Sequence, residues 1–233
     1  MSYRVSRAAA IESLSDTVSH REISTNNTHE QIHIASSLDS TRFVALVDTF
    51  AVTTQGMIGP VQPSQLPYQI EGLLTDTSKH LTIFTPYQGI GCSPVGSALV
   101  ADLYNLLSPF PAQLTSGMTW RDSVDFTTCQ GLIPTAVHVV RSYIVSGQLT
   151  IKNQLVIAVQ RTDTITTHGE GALQQHHVTV DATGTGAATY YLDPIGGRVS
   201  KLATEQNLLL NFTAAGKSSR FRQNLRQNFE PVH

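Results

Sequence analysis

The sequence has few charged residues and no long apolar run. Only 14% of its 233 residues are charged, against about 25% in an average soluble protein, so Thr, Ser, Gln and Asn must cover much of the surface. The net charge of -2 gives no field that would attract a polyanion, which argues against nucleic acid as a partner. No segment approaches the roughly 18 consecutive apolar residues of a membrane-spanning helix.

Apolar and polar residues alternate through most of the chain, which predicts β-strands. In 31–36, for example, Ile32 and Ile34 fall on one face of a strand and His33 on the other. Short polar connections between successive strands are typical of an antiparallel meander. Because 40% of the residues are hydrophobic, we expect a single, mainly β domain over 1–233 that forms a curved sheet, a half-barrel or a sandwich.

Turn-forming residues predict where the strands end. Asn26 and Asn27 indicate one turn, and the sequence Gly184–Gly186 indicates a tight hairpin turn between two strands. Three further glycines are also expected between strands, namely Gly147, Gly169 and Gly171.

One segment has the features of a helix. Ser93 is a good N-cap and Pro94 suits the first helical turn, while Pro109 predicts that the helix ends before it. Four leucines follow a helical spacing, namely Leu99, Leu103, Leu106 and Leu107. We therefore expect one short helix near 94–107, in a segment 92–111 that joins two β-layers, 1–91 and 112–233.

The sequence contains only two cysteines, Cys92 and Cys129, and they flank the predicted helix. An isolated pair in a Thr-rich β-protein is more often a disulfide than a redox or metal site, so a bridge is the main expectation. Two buried free thiols are the alternative. Neither cysteine has a further metal ligand beside it, which argues against a metal site.

The segment 217–233 concentrates basic residues, and its apolar residues recur four apart. As a helix it would place these apolar side chains along one face with arginines beside them. Such a face would contact anionic lipid headgroups or an acidic surface of a partner. The main expectation, however, is a frayed or terminal strand on a solvated surface, and the helix is the alternative. The candidate interaction residues are Lys217, Arg220, Phe221, Arg222, Leu225, Arg226 and Phe229.

Motifs for catalysis and nucleotide binding are missing from the sequence. No Gly-x-Ser-x-Gly is present, and Gly216–Ser218 lacks the glycine that a phosphate-binding loop needs five residues earlier, where Asn211 stands. Asp122 and Asp125 lie three apart and face opposite ways on a strand, which makes them a poor acid/base pair. We therefore predict no catalytic residue, no cofactor, no nucleotide and no ionisable groups that converge inside the fold.

The densest group of histidines is His168, His176 and His177. Neighbouring residues of a strand point to opposite faces, so His176 and His177 are expected as exposed polar side chains and not as joint metal ligands. A metal site completed by His138 or Glu170 is one alternative. An enzyme that uses His138, His176 or His177 is another.

Several short sequences occur in an order that resembles a family of uncharacterised secreted bacterial β-proteins. They are Leu106–Pro111, Gly117–Trp120 with Asp122, Tyr143, Gly184–Gly186, Tyr190–Asp193 and Gly197–Arg198. In that family a proline-bearing segment after a helix leads into a Gly-x-x-Trp strand start, and a meander closes the chain. The resemblance implies an envelope location and a curved-sheet or half-barrel fold, and it assigns no catalytic residues. The chain is also similar in kind to membrane-extrinsic accessory subunits of bacterial membrane assemblies, photosystems among them.

These observations lead to two expectations about function. The first is a non-catalytic structural or interaction protein, periplasmic or extracellular, which docks on a membrane protein complex or the membrane surface through strand edges and 217–233. The strand-like start, 1–14, lacks the apolar core of a secretory signal, as expected if a leader was removed or the start codon was assigned late. The alternative is a module that binds a lipid or another apolar ligand in a cleft lined by Phe43, Leu46, Phe84, Leu99 and Leu103.

Overall fold

The computed structural model describes residues 1–14, 23–36, 42–55, 66–74, 81–84, 92–173, 175–195 and 197–232. Over these residues the chain forms eleven strands and one helix. The strands are β1 Ser2–Ser13, β2 Ile23–Ser36, β3 Arg42–Gln55, β4 Tyr68–Leu74, β5 Leu81–Phe84, β6 Thr119–Gln130, β7 Ile133–Ile151, β8 Gln154–Leu173, β9 His176–Leu192, β10 Val199–Ala214 and β11 Lys217–Pro231, and the helix is α1 Pro94–Leu106.

All the described strands belong to one antiparallel sheet, in the order β5-β4-β3-β2-β1-β11-β10-β9-β8-β7-β6. This confirms the predicted mainly β, antiparallel fold with one short helix. β11 returns to pair with β1, from Tyr3 opposite Pro231 to Ser13 opposite Phe221. The strands of 1–91 and those of 112–233 are therefore joined side by side in one sheet instead of stacked as two layers. β5 and β6 are the edges, and the sheet is not closed.

Several strands run through positions where the sequence predicted turns. Asn26 and Asn27 lie inside β2, where they pair with Ala9 and Ala8 of β1. Gly184–Gly186 lies inside β9, so 176–192 is one strand and not a hairpin. A Cβ atom at Gly184 would lie only 2.0 Å from the carbonyl oxygen of Asn207. Glycine serves there for close approach of neighbouring strands, and not for a turn.

The other three glycines expected between strands also lie within them. Gly169 and Gly171 belong to β8. Gly147 belongs to β7, at a register shift opposite β8, and its φ of 122° is one that side-chain-bearing residues rarely adopt. A bulge at this position increases the local twist of the strand.

The sheet curls around α1. Ten strand spacings of about 4.8 Å would make a flat sheet roughly 48 Å wide, whereas a helix of 13 residues is only roughly 20 Å long. Even so, α1 reaches strands near both edges. Gly96 approaches the Tyr68 hydroxyl of β4, and the Tyr104 ring stacks on Phe126 of β6 with 4.6 Å between centroids. The fold is an open half-barrel whose inner face holds the helix.

The main core lies between α1 and this inner face. Ser93 caps the helix, because its Oγ accepts a hydrogen bond from the Gly96 N–H at 3.2 Å, and Pro94 occupies the first turn. The helix ends at Leu106, before Pro109, as predicted. The fully buried side chains of this core include Val5, Ile32, Val47, Val95, Leu99, Leu103, Val159, Tyr190, Leu202 and Phe229.

Candidate functional site

The predicted disulfide joins Cys92 and Cys129. Cys92 lies just before α1, and Cys129 lies near the end of the edge strand β6. The bridge therefore fastens the start of the helix to one edge of the sheet. The described residues contain no free cysteine.

The C-terminal end of α1 rests on a buried arginine of the inner face. Arg141 donates from Nε and Nη2 to the two carboxylate oxygens of Asp122, at 2.7 and 2.8 Å. Its Nη1 donates to the carbonyl oxygen of Tyr104 at 3.1 Å. The last carbonyls of a helix lack partners within the helix and carry partial negative charge, so a cation stabilises this end.

A second buried arginine, Arg161, holds the same end of the helix. It donates to the Tyr190 hydroxyl and, through Nη2, to Asn105 Oδ1 and Asp163 Oδ2, both at 2.9 Å. Its Nε lies 2.8 Å from Asp163 Oδ1, an ion pair without hydrogen-bond alignment. Each arginine is thus balanced by one carboxylate. Charge-assisted contacts of this kind are stronger than neutral hydrogen bonds.

A third buried cluster, the Arg7 network, lies under the middle of α1. Arg7 Nη2 donates to Glu30 Oε1 at 3.0 Å and to Asp102 Oδ2 at 2.8 Å. Gln227 Nε2 donates to the other oxygen of Asp102 at 2.8 Å, and Thr204 donates to Gln227 at 3.1 Å. The network therefore connects the helix, through Asp102, to β1, β2, β10 and β11.

One cation faces two carboxylates in the Arg7 network. Both oxygens of Asp102 accept hydrogen bonds, whereas the Oε2 atom of Glu30 is buried without a hydrogen-bond partner among the described residues. Burial, followed by the nearby charge of Asp102, raises the pKa of Glu30 well above its usual range, although Arg7 opposes this. Burial and the carboxylate of Asp102 therefore both favour the protonated form of Glu30.

The raised pKa of Glu30 predicts a pH-dependent stability. A carboxyl with a raised pKa in the folded state contributes stability that is fully present below its ordinary pKa of 4.5 and is lost as pH rises through the folded value. Glu30→Gln cannot lose a proton, so it should gain stability relative to the unmodified protein as pH rises from 4.5. Urea denaturation across this range measures the difference.

The matched control for this prediction is Glu71→Gln, an exposed carboxyl in β4. It should leave the pH dependence of the unfolding free energy unchanged. Parallel curves for Glu30→Gln and the unmodified protein would show that Glu30 does not change its charge on unfolding.

The expectation of an interior without convergent ionisable groups is wrong. Arg141, Arg161, Glu30, Asp102 and Asp163 are all buried. These groups contact one another and the helix. The arrangement can hold α1 against the sheet.

The segment 217–233 does not form a helix. Its residues 217–231 form β11, a central strand between β1 and β10. Phe221, Leu225 and Phe229 share the inner face, and Phe229 is fully buried. The expected strand is therefore found, although β11 is neither terminal in the sheet nor frayed.

The arginines of β11 share the outer face of the sheet, away from the helix. Arg222 lies 3.3 Å from Glu12, and Arg226 lies 3.3 Å from Glu205. Arg220 is exposed, and Lys217 follows the turn that joins β10 to β11. The structure thus places the three arginines of the candidate interaction residues on the face opposite to Phe221, Leu225 and Phe229.

The outer face also carries two pairs of histidine and aspartate. The Nδ1 atom of His138 lies 2.7 Å from Asp125 Oδ1, and the same atom of His168 lies 2.7 Å from Asp181 Oδ1. The hydrogen bond to Asp181 raises the pKa of His168. Asp125 therefore faces His138, while Asp122 faces inward to Arg141, which confirms that the two aspartates point to opposite faces.

His176 and His177 are both exposed at the start of β9. Glu170 lies 3.8 Å from His177 and 3.4 Å from His168. Even so, no group of three or more His, Cys, Asp or Glu side chains among the described residues is placed to hold a metal ion.

The apolar cleft proposed from the sequence is not formed by its predicted lining. Phe43, Leu99 and Leu103 belong to the packed core beneath α1. Leu46 alternates with the buried Ala45 and Val47, so it lies on the outer face. The side chain of Phe84 lies outside the described residues.

An open groove lies instead at one end of the half-barrel, and we call it the rim groove. β1, β8 and β10 start there, and β9 and β11 end there. The groove has a volume of about 750 Å³, within the usual range for ligand sites. It is lined by Met1, Ser2, Tyr3, Gln154, Leu155, Val156, Asp193, Pro194, Ile195, Arg198, Val199, Ser200, Pro231 and Val232.

Three large apolar side chains of the rim groove are exposed to solvent. Ile195 is 96% exposed, Met1 52% and Leu155 51%. Leu132, in the turn between β6 and β7 at the opposite end of the strands, is 67% exposed and does not line the rim groove. Scattered exposed apolar residues are ordinary, whereas a cluster of them marks a contact surface. Sequence alternation does not identify this cluster, because Ile195 lies in a connection and not in a strand.

No helix in the described part of the chain is long and apolar enough to cross a membrane. No protein-family model matches the chain, and no curated protein matches it. The resemblance to secreted β-proteins therefore stays a prediction.

Proposed function

We propose that the chain is a non-catalytic docking protein of the bacterial cell envelope, and that its rim groove is the contact surface. The observation that carries this proposal is the clustering of Met1, Leu155 and Ile195, all at least half exposed, on one groove. Burial of such exposed apolar area against a partner is favourable, because it removes the area from water. The partner class is a membrane protein complex or the membrane surface.

The contacts of the buried ionisable groups support a structural role for these groups. Arg141 and Arg161 are each paired with a carboxylate and also bond to the C-terminal turn of α1. Asp102 anchors the middle of the same helix. Groups that satisfy one another in this way stabilise the half-barrel, and the surface then supplies the function.

The disulfide supports the proposed location. Structural disulfides persist in oxidising compartments, such as the bacterial periplasm and the cell exterior, and are rare in the cytosol. The bridge between Cys92 and Cys129 joins two separate elements, which is the arrangement of a structural bridge.

The proposal predicts that the rim groove determines association with membranes. We expect Leu155→Ser and Ile195→Ser together to shift the protein from the membrane fraction of gently lysed cells to the supernatant, because both remove exposed apolar contact area. The matched control is Leu132→Ser, which changes an exposed leucine at the opposite end of the strands. Immunoblots of the two fractions measure the distribution.

Equal release of the control would show that general surface hydrophobicity, and not the rim groove, holds the protein to membranes. Retention of the double variant in the membrane fraction would also contradict the proposal. Deletion of 217–233 is not a suitable test, because it removes the central strand β11 and with it the Phe229 contacts of the core.

A further inference from the structure

We infer that the rim groove and the turns beside it bind directly to the surface of an anionic lipid bilayer. This inference rests on the proposed docking function and names its partner. The rim surface is defined here as the rim groove together with the β7–β8 turn at Lys152 and with Lys201 at the start of β10.

The connection between β9 and β10 carries Ile195 above a hydrogen-bonded base. The Ile195 N–H donates to Asp193 Oδ1 at 3.0 Å, and the Gly197 N–H donates to the Asp193 carbonyl at 2.9 Å. The Asp193 N–H in turn donates to the Arg198 carbonyl at 2.8 Å. These bonds close the base of the connection, and Ile195 is 96% exposed beyond it.

The β7–β8 hairpin brings a second apolar residue to the same end. Lys152 and Asn153 form its turn with φ values of 47° and 64°, the conformation of a tight two-residue hairpin. Between β8 and β9, the last pair at this end is Ile157 opposite Leu192. Leu155, which pairs with Thr150 of β7, therefore lies beyond the end of β9, on the same side as the β9–β10 loop, and both line the rim groove.

Basic side chains surround these apolar residues. Lys152, Arg198 and Lys201 supply the cations, and among the described residues that line this groove and the one beside it the acidic ones are Asp193 and Glu230. Glu230 lies opposite Arg4 in the sheet, which adds a fourth cation. Apolar side chains flanked by Lys and Arg are the pattern of proteins that bind at the headgroup region of anionic membranes.

A bilayer fits this surface better than an enclosed small ligand. A ligand held inside the groove would cover the walls, but Ile195 extends outward from the tip of its loop. Such a side chain loses its exposure only when a surface larger than the groove meets it. A bilayer provides that surface, with acyl chains for the apolar tip and phosphates for the cations.

Co-sedimentation of the full chain with protein-free vesicles tests this inference. Vesicles of phosphatidylglycerol and phosphatidylethanolamine should bind the protein, and vesicles of phosphatidylcholine should bind it at least tenfold more weakly, since each Lys or Arg near an anionic surface contributes about fivefold. Ile195→Ser with Leu155→Ser should lower the partition coefficient by about tenfold or more. Leu132→Ser should bind like the unmodified protein, and circular dichroism should show that all variants fold.

A second variant separates charge from apolar contact. Lys152→Gln, Arg198→Gln and Lys201→Gln together should abolish the preference for anionic vesicles and the salt dependence of binding. Absence of vesicle binding, or an equal loss in Leu132→Ser, would overturn the inference. Binding of monomeric dodecyl phosphate without binding of vesicles would also overturn it in favour of an enclosed ligand. If the protein does not bind vesicles but its association with native membranes still depends on Ile195, the docking function stands and its partner is a membrane protein.

Discussion

Arg7→Met is expected to lower the free energy of unfolding by about 3–5 kcal/mol at neutral pH, which is the usual effect of breaking a buried ion pair on one side. Among the described residues, Arg7 is the only cation within hydrogen-bond distance of Glu30 and Asp102, whose side chains are both 0% exposed. Met keeps much of the length of the side chain and removes the charge. The variant therefore leaves two carboxyls buried together without a counter-ion.

The pH dependence of this loss identifies its cause. Without Arg7, burial and repulsion between the two carboxylates both favour protonation of Glu30, so the loss should shrink as pH falls. Urea denaturation at several pH values measures it. A loss that is the same at every pH would indicate altered packing instead of unpaired charge.

Arg4→Met is the matched control, because Arg4 is an exposed arginine on the outer face of the same strand. It should change the unfolding free energy by no more than about 0.5 kcal/mol. Adding Glu30→Gln and Asp102→Asn to Arg7→Met should recover part of the loss, because both changes remove the unpaired charges. If Arg7→Met and Arg4→Met are equally stable, the Arg7 network does not stabilise the fold.

The alternation of apolar and polar residues predicted the class of fold but could not predict what the inner face carries. Arg7 is in phase with Val5, and Arg161 is in phase with Val159, both of which are buried. In the sequence, the signal for such a buried cluster is a charged residue at a position that alternation assigns to the inner face. Its partners cannot be identified from the sequence, because Asp102 and Asn105 come from a helix whose orientation over the sheet is set by tertiary packing.

The prediction of strand ends from glycines was wrong for a related reason. Gly184 lies where the Asn207 carbonyl and the Leu208 side chain come close. In a sequence, a glycine required by a neighbouring strand looks the same as one required by a turn. Only the register of β9 against β10 distinguishes the two cases.

The segment 217–233 shows why a spacing of four residues is ambiguous. Phe221, Leu225 and Phe229 lie on one face of a helix at about 3.6 residues per turn, but four is also a multiple of the strand period of two. The intervening residues decide between them. Gln223 and Gln227 lie on the same inner face of β11. Gln227 can be buried there because its amide donates a hydrogen bond to Asp102. No local sequence pattern reveals this contact.

Replacing both Cys92 and Cys129 with Ala should lower the free energy of unfolding by about 4 kcal/mol, given their sequence separation of 37 and the dependence of loop-closure entropy on length. For a chain of this size, such a loss corresponds to roughly 10 °C in Tm. The bridge limits the unfolded chain and, in the folded state, fastens the start of α1 to an edge strand that has a strand neighbour on one side only. Thermal melts and urea titrations measure the effect.

Reduction of the unmodified protein, followed by alkylation, should reproduce most of this loss without changing the sequence. Because the core residues Leu99 and Leu103 and the contacts of Arg141 and Arg161 remain, the reduced chain should still fold in the absence of denaturant. The half-barrel depends on the helix for its inner packing, so the bridge and the ionic contacts act on opposite ends of the same element. If the midpoint of unfolding does not move on reduction, α1 is held by its buried contacts alone.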